Sequence, residues 1–263
     1  MKKITVHYAL ALAMPLLLAG CGEGTGVNGG AQISLSFSAG AGVAGSNFQA
    51  APGLSMSQVA SDPITDGTNV LDLTNVELVF REVELERVEV ADCDDIEPEP
   101  VGCEEFEIGP MVVALPLDGS PLETSVVDID PGMYDEIEFD IHKLSDDPED
   151  AALLALRPDF DDASIRVDGT YNGVPFTFFS DISEELEFDL VPALVIDDVT
   201  TSTNITIQFE VAAWFRTLGG SLVDPASANK GGANESLVKD NIKNAIEAFE
   251  DEDHDGEDDH DNS

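Results

Sequence analysis

Ile165-Arg-Val-Asp-Gly-Thr-Tyr-Asn-Gly-Val-Pro-Phe-Thr-Phe-Phe179 is the stretch on which the fold turns. Two alternating runs flank Asn172-Gly173, a dipeptide that readily adopts two successive positive φ angles. Those angles make a type I′ turn, whose twist matches that of the strands it joins, so the stretch predicts an antiparallel hairpin. The same period of two recurs on both sides. Downstream, Leu186, Phe188 and Leu190 alternate with acids, and Ile205, Ile207, Phe209 and Val211 form another run before Trp214-Phe215. Upstream, the turn Asp130-Pro131-Gly132 leads into Ile137, Phe139 and Ile141 interleaved with Glu136, Glu138 and Asp140, a strand with one wet face. Val76, Leu78 and Phe80 share one phase, Val83 and Leu85 a second, Val88 and Val90 a third. These slips predict bulges or a bend, and six valines between Val70 and Val90 favour strand over helix. A short apolar run at Met111 to Leu117, and Ile33, Leu35 and Phe37 alternating with serines, complete about seven to nine strands. Many short strands with turns between them point to an antiparallel sandwich or barrel, which periodicity does not separate.

One helix is predicted. Asn234 caps a run in which Val238, Asn241, Ile242, Ala245, Ile246 and Phe249 recur at three- and four-residue spacing, an amphipathic pattern from Glu235 to Glu250. The chain then divides into a leader (1–20), a glycine-rich tether (21–30), a β-domain (31–230), the C-terminal helix (231–250) and an acidic tail (251–263). Within the β-domain, Ala39 to Pro63 reads as a long loop of small and polar residues.

The charge balance excludes whole classes of partner. The sequence holds 11 Lys and Arg against 54 Asp and Glu, a formal charge of -43. Nucleic acid is excluded, because binding it depends on clustered cations that displace counterions, and the cations here are few and scattered. The 43% hydrophobic content and thirteen phenylalanines argue against wholesale disorder and supply a core for about 150 to 200 residues. The acidic surface suits a saline medium, where counterions screen self-repulsion, or the binding of divalent cations.

Lys2-Lys3, an apolar stretch from Tyr8 to Leu18 interrupted by Pro15, and Leu18-Ala-Gly-Cys21 have the parts of a secretory leader and resemble a bacterial lipobox. The resemblance implies a thioether from Cys21 to diacylglycerol, cleavage before Cys21, and acylation of the freed amine. Several acyl chains hold a protein at a leaflet without spanning it. Gly22, where inner-membrane lipoproteins carry Asp, implies the outer membrane of a two-membrane envelope. Export places Cys93 and Cys103 in an oxidising compartment. They bracket a turn-rich segment with no histidine near it, so a disulfide is expected rather than a zinc pair, worth about 2 to 3 kcal/mol.

Leu73-Thr-Asn-Val-Glu-Leu-Val-Phe80, Pro131-Gly-Met-Tyr-Asp-Glu-Ile-Glu-Phe139 and the Ser164 to Phe179 hairpin together resemble uncharacterised bacterial lipoproteins with a β-sandwich domain. The resemblance implies a surface domain with a β-sandwich fold, and with the strands, helix and tail read above the expectation is a mainly β protein: an antiparallel β-sandwich with one C-terminal α-helix and an acidic tail. It supplies no catalytic residues. In the tail, Asp251-Glu-Asp253-His-Asp255-Gly256-Glu257-Asp-Asp259 resembles the calcium loops of EF-hands, dockerins and thrombospondin type 3 repeats. The resemblance implies carboxylate ligands from Asp251, Asp253 and Asp255, a backbone carbonyl from Glu257 and a ninth-position ligand from Asp259. Asn262 stands where an EF-hand has its bidentate Glu, so Ca²⁺ affinity is expected to be weak, about 10⁻⁴ to 10⁻³ M. The alternative is a solvated acidic run.

His142 is alone in the folded region, a pattern expected of a surface or hydrogen-bonded histidine rather than a base. Trp214-Phe215 fits core packing better than a platform for sugar rings. No nucleophile elbow, zinc-protease helix or phosphate loop is present. The sequence therefore predicts no enzyme. It predicts a lipid-anchored envelope protein with a structural or ligand-binding sandwich, or alternatively a calcium-dependent module for carbohydrate binding or adhesion, whose partners are a cell-surface protein or polysaccharide.

Overall fold

In the computed structural model, which describes residues 31–39, 62–88, 104–106, 110–197, 202–256 and 258–259, Asn172 and Gly173 take φ of 52° and 77°. The predicted hairpin forms around them, with Tyr171 paired to Val174 and Ile165 to Ser180. Among the described residues the first strands are β1 (Ala31–Ser38), β2 (Ile64–Thr65), β3 (Val70–Arg87), β4 (Glu104–Phe106), β5 (Met111–Ala114) and β6 (Leu122–Ile129). There follow β7 (Gly132–Ile141), β8 (Ile165–Tyr171), β9 (Val174–Ser180), β10 (Glu184–Ile196), β11 (Ser202–Phe209) and β12 (Ile246–Glu250). Three short α-helices among the described residues, α1 (Ala151–Leu156), α2 (Val211–Trp214) and α3 (Glu235–Lys243), lie between strands. A four-stranded sheet in the order β12-β11-β1-β6 faces an eight-stranded one, the two layers of a sandwich.

Strand β3 organises the larger sheet. Leu71 pairs with both Ile64 and Tyr171, Leu78 with Val113 and Ile165, Phe80 with Met111 and Ile141, and Val83 with Phe106 and Phe139. It follows that β8 and β7 lie end to end along one side of β3, with β2, β5 and β4 along the other. The slip read between Phe80 and Val83 is a register shift between Arg81 and Val83, where Glu82 adopts φ 54°; further shifts fall between Leu73 and Asn75 and between Glu86 and Arg87. Each extra residue re-aims the side chains that follow. Val79 closes the junction between β7 and β8, accepting the His142 N–H at 2.9 Å and donating to the Ser164 carbonyl at 2.8 Å.

The core lies between the layers. Phe80 meets Phe37 at 4.4 Å between ring centroids, Phe209 at 5.8 Å and Phe139 at 6.0 Å. Trp214 stands edge-on to Phe209 and Phe215 edge-on to Phe178, both fully buried, so they pack the core. Burying a side chain of this size contributes about 1.5 to 3 kcal/mol. A satellite cluster of Val79, Leu144, Phe160 and Ala163 forms beneath the excursion between β7 and β8.

The C-terminal helix is shorter than the pattern predicts. It ends at Lys243, with Asn244 as its cap, and Ile246–Glu250 is the strand β12, antiparallel to β11. The three-residue spacing of Ile246 and Phe249 is compatible with a helix, but an open edge on β11 supplies backbone partners for all five residues, and pairing overrides local periodicity. Helix α3 and β12 thus belong to the sandwich rather than following it. Val211, expected to end a strand, begins α2. The β1 and β11 pair is parallel within otherwise antiparallel sheets. Ala39, the first residue past β1, is buried. The leader, the tether, the loop over 40–61 and the segment holding Cys93 and Cys103 lie outside the described residues.

Candidate metal centre

In β1 and β11 the alternation expected of a one-faced sheet is chemically clean. Ile33, Leu35, Phe37, Ile205, Ile207 and Phe209 face the core. The other phase, Ser34, Ser36, Ser38, Asn204, Thr206 and Gln208, is polar and is also buried. Buried polar groups require partners, and Ser34, Ser36, Asn204 and Thr206 find one another, whereas Ser38 Oγ has none among the described residues. Ser34 Oγ and Ser36 Oγ both donate to Asn204 Oδ1, at 2.8 and 2.9 Å. Asn204 Nδ2 donates to Thr206 Oγ1 at 3.0 Å, and Thr206 Oγ1 donates to Asp251 Oδ2 at 2.7 Å. Asp251, 0% exposed, is the terminal acceptor of the chain.

Strand β12 delivers that carboxylate. Its pairing carries on to an Asp251 N–H to Asn204 carbonyl bond of 3.0 Å, after which the chain turns back on itself. Asp251 Oδ1 accepts the Asp255 N–H at 2.9 Å and Oδ2 accepts the Gly256 N–H at 3.1 Å. His254 and Gly256 have φ of 58° and 83°; glycine meets that requirement without strain, as its position in the motif anticipates. Gln208 Nε2 donates to the Gly256 carbonyl at 3.2 Å, and the Glu252 N–H donates to Asp259 Oδ2 at 2.6 Å. Asp251 to Gly256 therefore form a loop seated on the outer face of the four-stranded sheet.

Carboxylate oxygens of Asp251, Asp253 and Asp255 lie within 4.8 Å of one another, one residue buried and two exposed. Three oxygens this close suit a hard divalent cation, which takes oxygen ligands near 2.4 Å. Of the predicted ligands, the structure brings these three together. Asp259 is engaged in closing the loop, while Glu257, Cys21, Cys93 and Cys103 lie outside the described residues. The expectation that the loop follows a helix is corrected: β12 intervenes, and the last turn of α3 carries Lys243 rather than the tail's charge.

A second acidic group was legible only in part. Glu84, Glu138 and Glu187 occupy one row across β3, β7 and β10, and Glu86, Glu136 and Asp189 the next row of the same phase. Oxygens of Glu136, Glu138 and Glu187 fall within 4.8 Å. Burial, and then the charges of Glu86, Glu187 and Asp189, push the Glu136 carboxyl up, against a hydrogen bond with Glu138. The outward phase of each strand is readable from sequence; the register that sets the acids opposite one another is not. His142, expected to be a surface or hydrogen-bonded histidine, is hydrogen-bonded: Nε2 lies 2.8 Å from Asp150 Oδ1, both residues buried. Asp150 Oδ2 also accepts the Ser145 N–H at 2.8 Å and Ser145 Oγ at 3.0 Å. Burial opposes the effect, yet these bonds hold the Asp150 carboxyl below its usual range. The Ser145 hydroxyl is directed at the carboxylate and not at the imidazole, so the group ties down the excursion to α1. No helix among the described residues is long and apolar enough to cross a membrane. Comparison with protein families, curated proteins and solved structures finds no match.

Proposed function

We propose that this chain is a lipid-anchored protein of the cell envelope, held through Cys21, whose non-enzymatic β-sandwich serves a structural or ligand-binding role and whose C-terminal loop takes Ca²⁺. The observation that carries the cation reading is the loop in which carboxylate oxygens of Asp251, Asp253 and Asp255 lie within 4.8 Å of one another. Backbone donors on Asp251 hold the loop in this shape, so a cation meets a formed turn rather than a flexible tail. Ca²⁺ takes six to eight oxygens in adaptable geometry, which suits a loop of several carboxylates better than the near-ideal octahedron that Mg²⁺ demands. The location rests on the leader and lipobox. Burial of Trp214 and Phe215 removes the aromatic pair on which stacking of a sugar ring was considered, which favours the structural reading over the carbohydrate one.

Isothermal titration of the mature protein tests the cation. Weak saturable Ca²⁺ uptake, lost in Asp253→Ala and Asp255→Ala, is expected; identical uptake by variants and parent would defeat the proposal. Labelling with a palmitate analogue tests the anchor, with label lost in Cys21→Ser.

A further inference from the structure

Glu210 sits where β11 passes into α2 and is 8% exposed. Its main chain is fixed on both sides: its N–H donates to the Ala245 carbonyl at 2.9 Å and its carbonyl accepts the Ala213 N–H at 3.0 Å. Its carboxylate caps nothing and forms no hydrogen bond or ion pair with a described residue. Two charged groups reach it, Glu247 from β12 and Arg216 from the segment after α2. Arg216 does not neutralise it by contact. That guanidinium, itself buried, donates to three main-chain carbonyls, of Ala212 at 3.2 Å, Gly220 at 2.8 Å and Thr65 at 3.3 Å. Glu247 stands on β12 opposite Gln208, on the neighbouring strand. An ionised Glu210 is therefore a buried charge with a like charge on the strand beside it, an arrangement that opposes the docking of that strand.

We propose that Glu210 is a proton-dependent latch for the C-terminal strand: protonated, it lets β12 seat on β11, and ionised, it repels Glu247 and loosens the pairing. Burial first, then Glu247, push its carboxyl up to about 7, with Arg216 opposing. A carboxyl raised in the docked state holds a proton that the released state gives up. Docking is therefore strongest below the ordinary value of 4.5 and weakens as pH rises through about 7. Strand β12 is suited to such local release: it is five residues long, and β11 keeps β1 on its other side. The latch lies at the opposite end of β12 from Asp251 and does not depend on the cation reading.

Amide hydrogen exchange of the full mature chain, in chelator so that metal plays no part, reads the latch directly. After correction for intrinsic chemistry, protection of Ile246–Glu250 relative to β1 should fall about tenfold between about pH 6 and about pH 8. Glu210→Gln should abolish that fall, and Glu247→Gln should strengthen docking above the midpoint and move the midpoint to lower pH. An equal fall in Glu210→Gln overturns the proposal, as does a fall shared by every strand. Should Glu210→Gln not fold, an unchanged midpoint in Glu247→Gln overturns it alone.

Discussion

Replacing Asp251 separates a loop that merely carries acids from one built into the sandwich. Its carboxylate accepts three good hydrogen bonds, from Thr206 Oγ1, the Asp255 N–H and the Gly256 N–H, and a longer contact from Asn204 Nδ2 at 3.5 Å. Hydrogen bonds to a charged acceptor are worth about 1.5 to 3 kcal/mol each. In Asp251→Ala the Asp255 and Gly256 amides regain water as the loop lifts away, and so does the Thr206 hydroxyl that it uncovers, which returns part of that sum. The expected net loss is about 3 to 5 kcal/mol. Asp251→Asn keeps the shape but turns an NH₂ toward donors, for a loss of about 2 kcal/mol. Asp253→Ala, exposed and without a bond to the sandwich, should stay within about 0.5 kcal/mol of the parent. Urea unfolding in chelator measures all three. A loss below about 1 kcal/mol for Asp251→Ala would mean that the loop only rests on the sheet and that the buried network is complete without it.

Three further outcomes follow from other parts of the molecule. Gly169→Ala should destabilise by about 2 to 3 kcal/mol in thermal unfolding, since a Cβ there meets the Asp72 carbonyl oxygen at 2.2 Å and the Phe176 ring at 3.1 Å; an unchanged midpoint would show that β3 and β8 separate freely. Glu136→Gln should stabilise by about 0.2 to 1 kcal/mol at neutral pH. Because the Glu136 carboxyl is raised in the folded state, that gain should vanish as pH falls below the ordinary glutamate value and shrink in high salt; a gain independent of both would put its origin elsewhere. Peptide mass analysis of non-reduced material from the envelope should find Cys93 joined to Cys103, and two free thiols would end that assignment.

Wherever the determining interactions are local, the sequence by itself was enough. Asn172-Gly173 makes its turn from backbone preference alone, the two-residue period assigns Ile137, Phe139 and Ile141 to the core, and the phase change after Phe80 announces the bulge at Glu82. Asp-x-Asp-x-Asp-Gly likewise encodes a turn whose first carboxylate can reach its own amides. Tertiary structure decided what depends on partners distant in the chain. Ile246–Glu250 became a strand because β11 offered an unpaired edge, an advantage that no window of local sequence contains. Ser34, Ser36, Asn204 and Thr206 lie in the phase that a half-buried strand turns to water, and they are dry because the loop that begins at Asp251, distant in the chain, covers them. Glu210, one of 54 acids in the sequence, is set apart only by the burial and the neighbouring Glu247 that folding imposes. Local periodicity reports which way a side chain points along its own strand; what lies opposite it, and whether water reaches it, is settled by how the strands pair and stack.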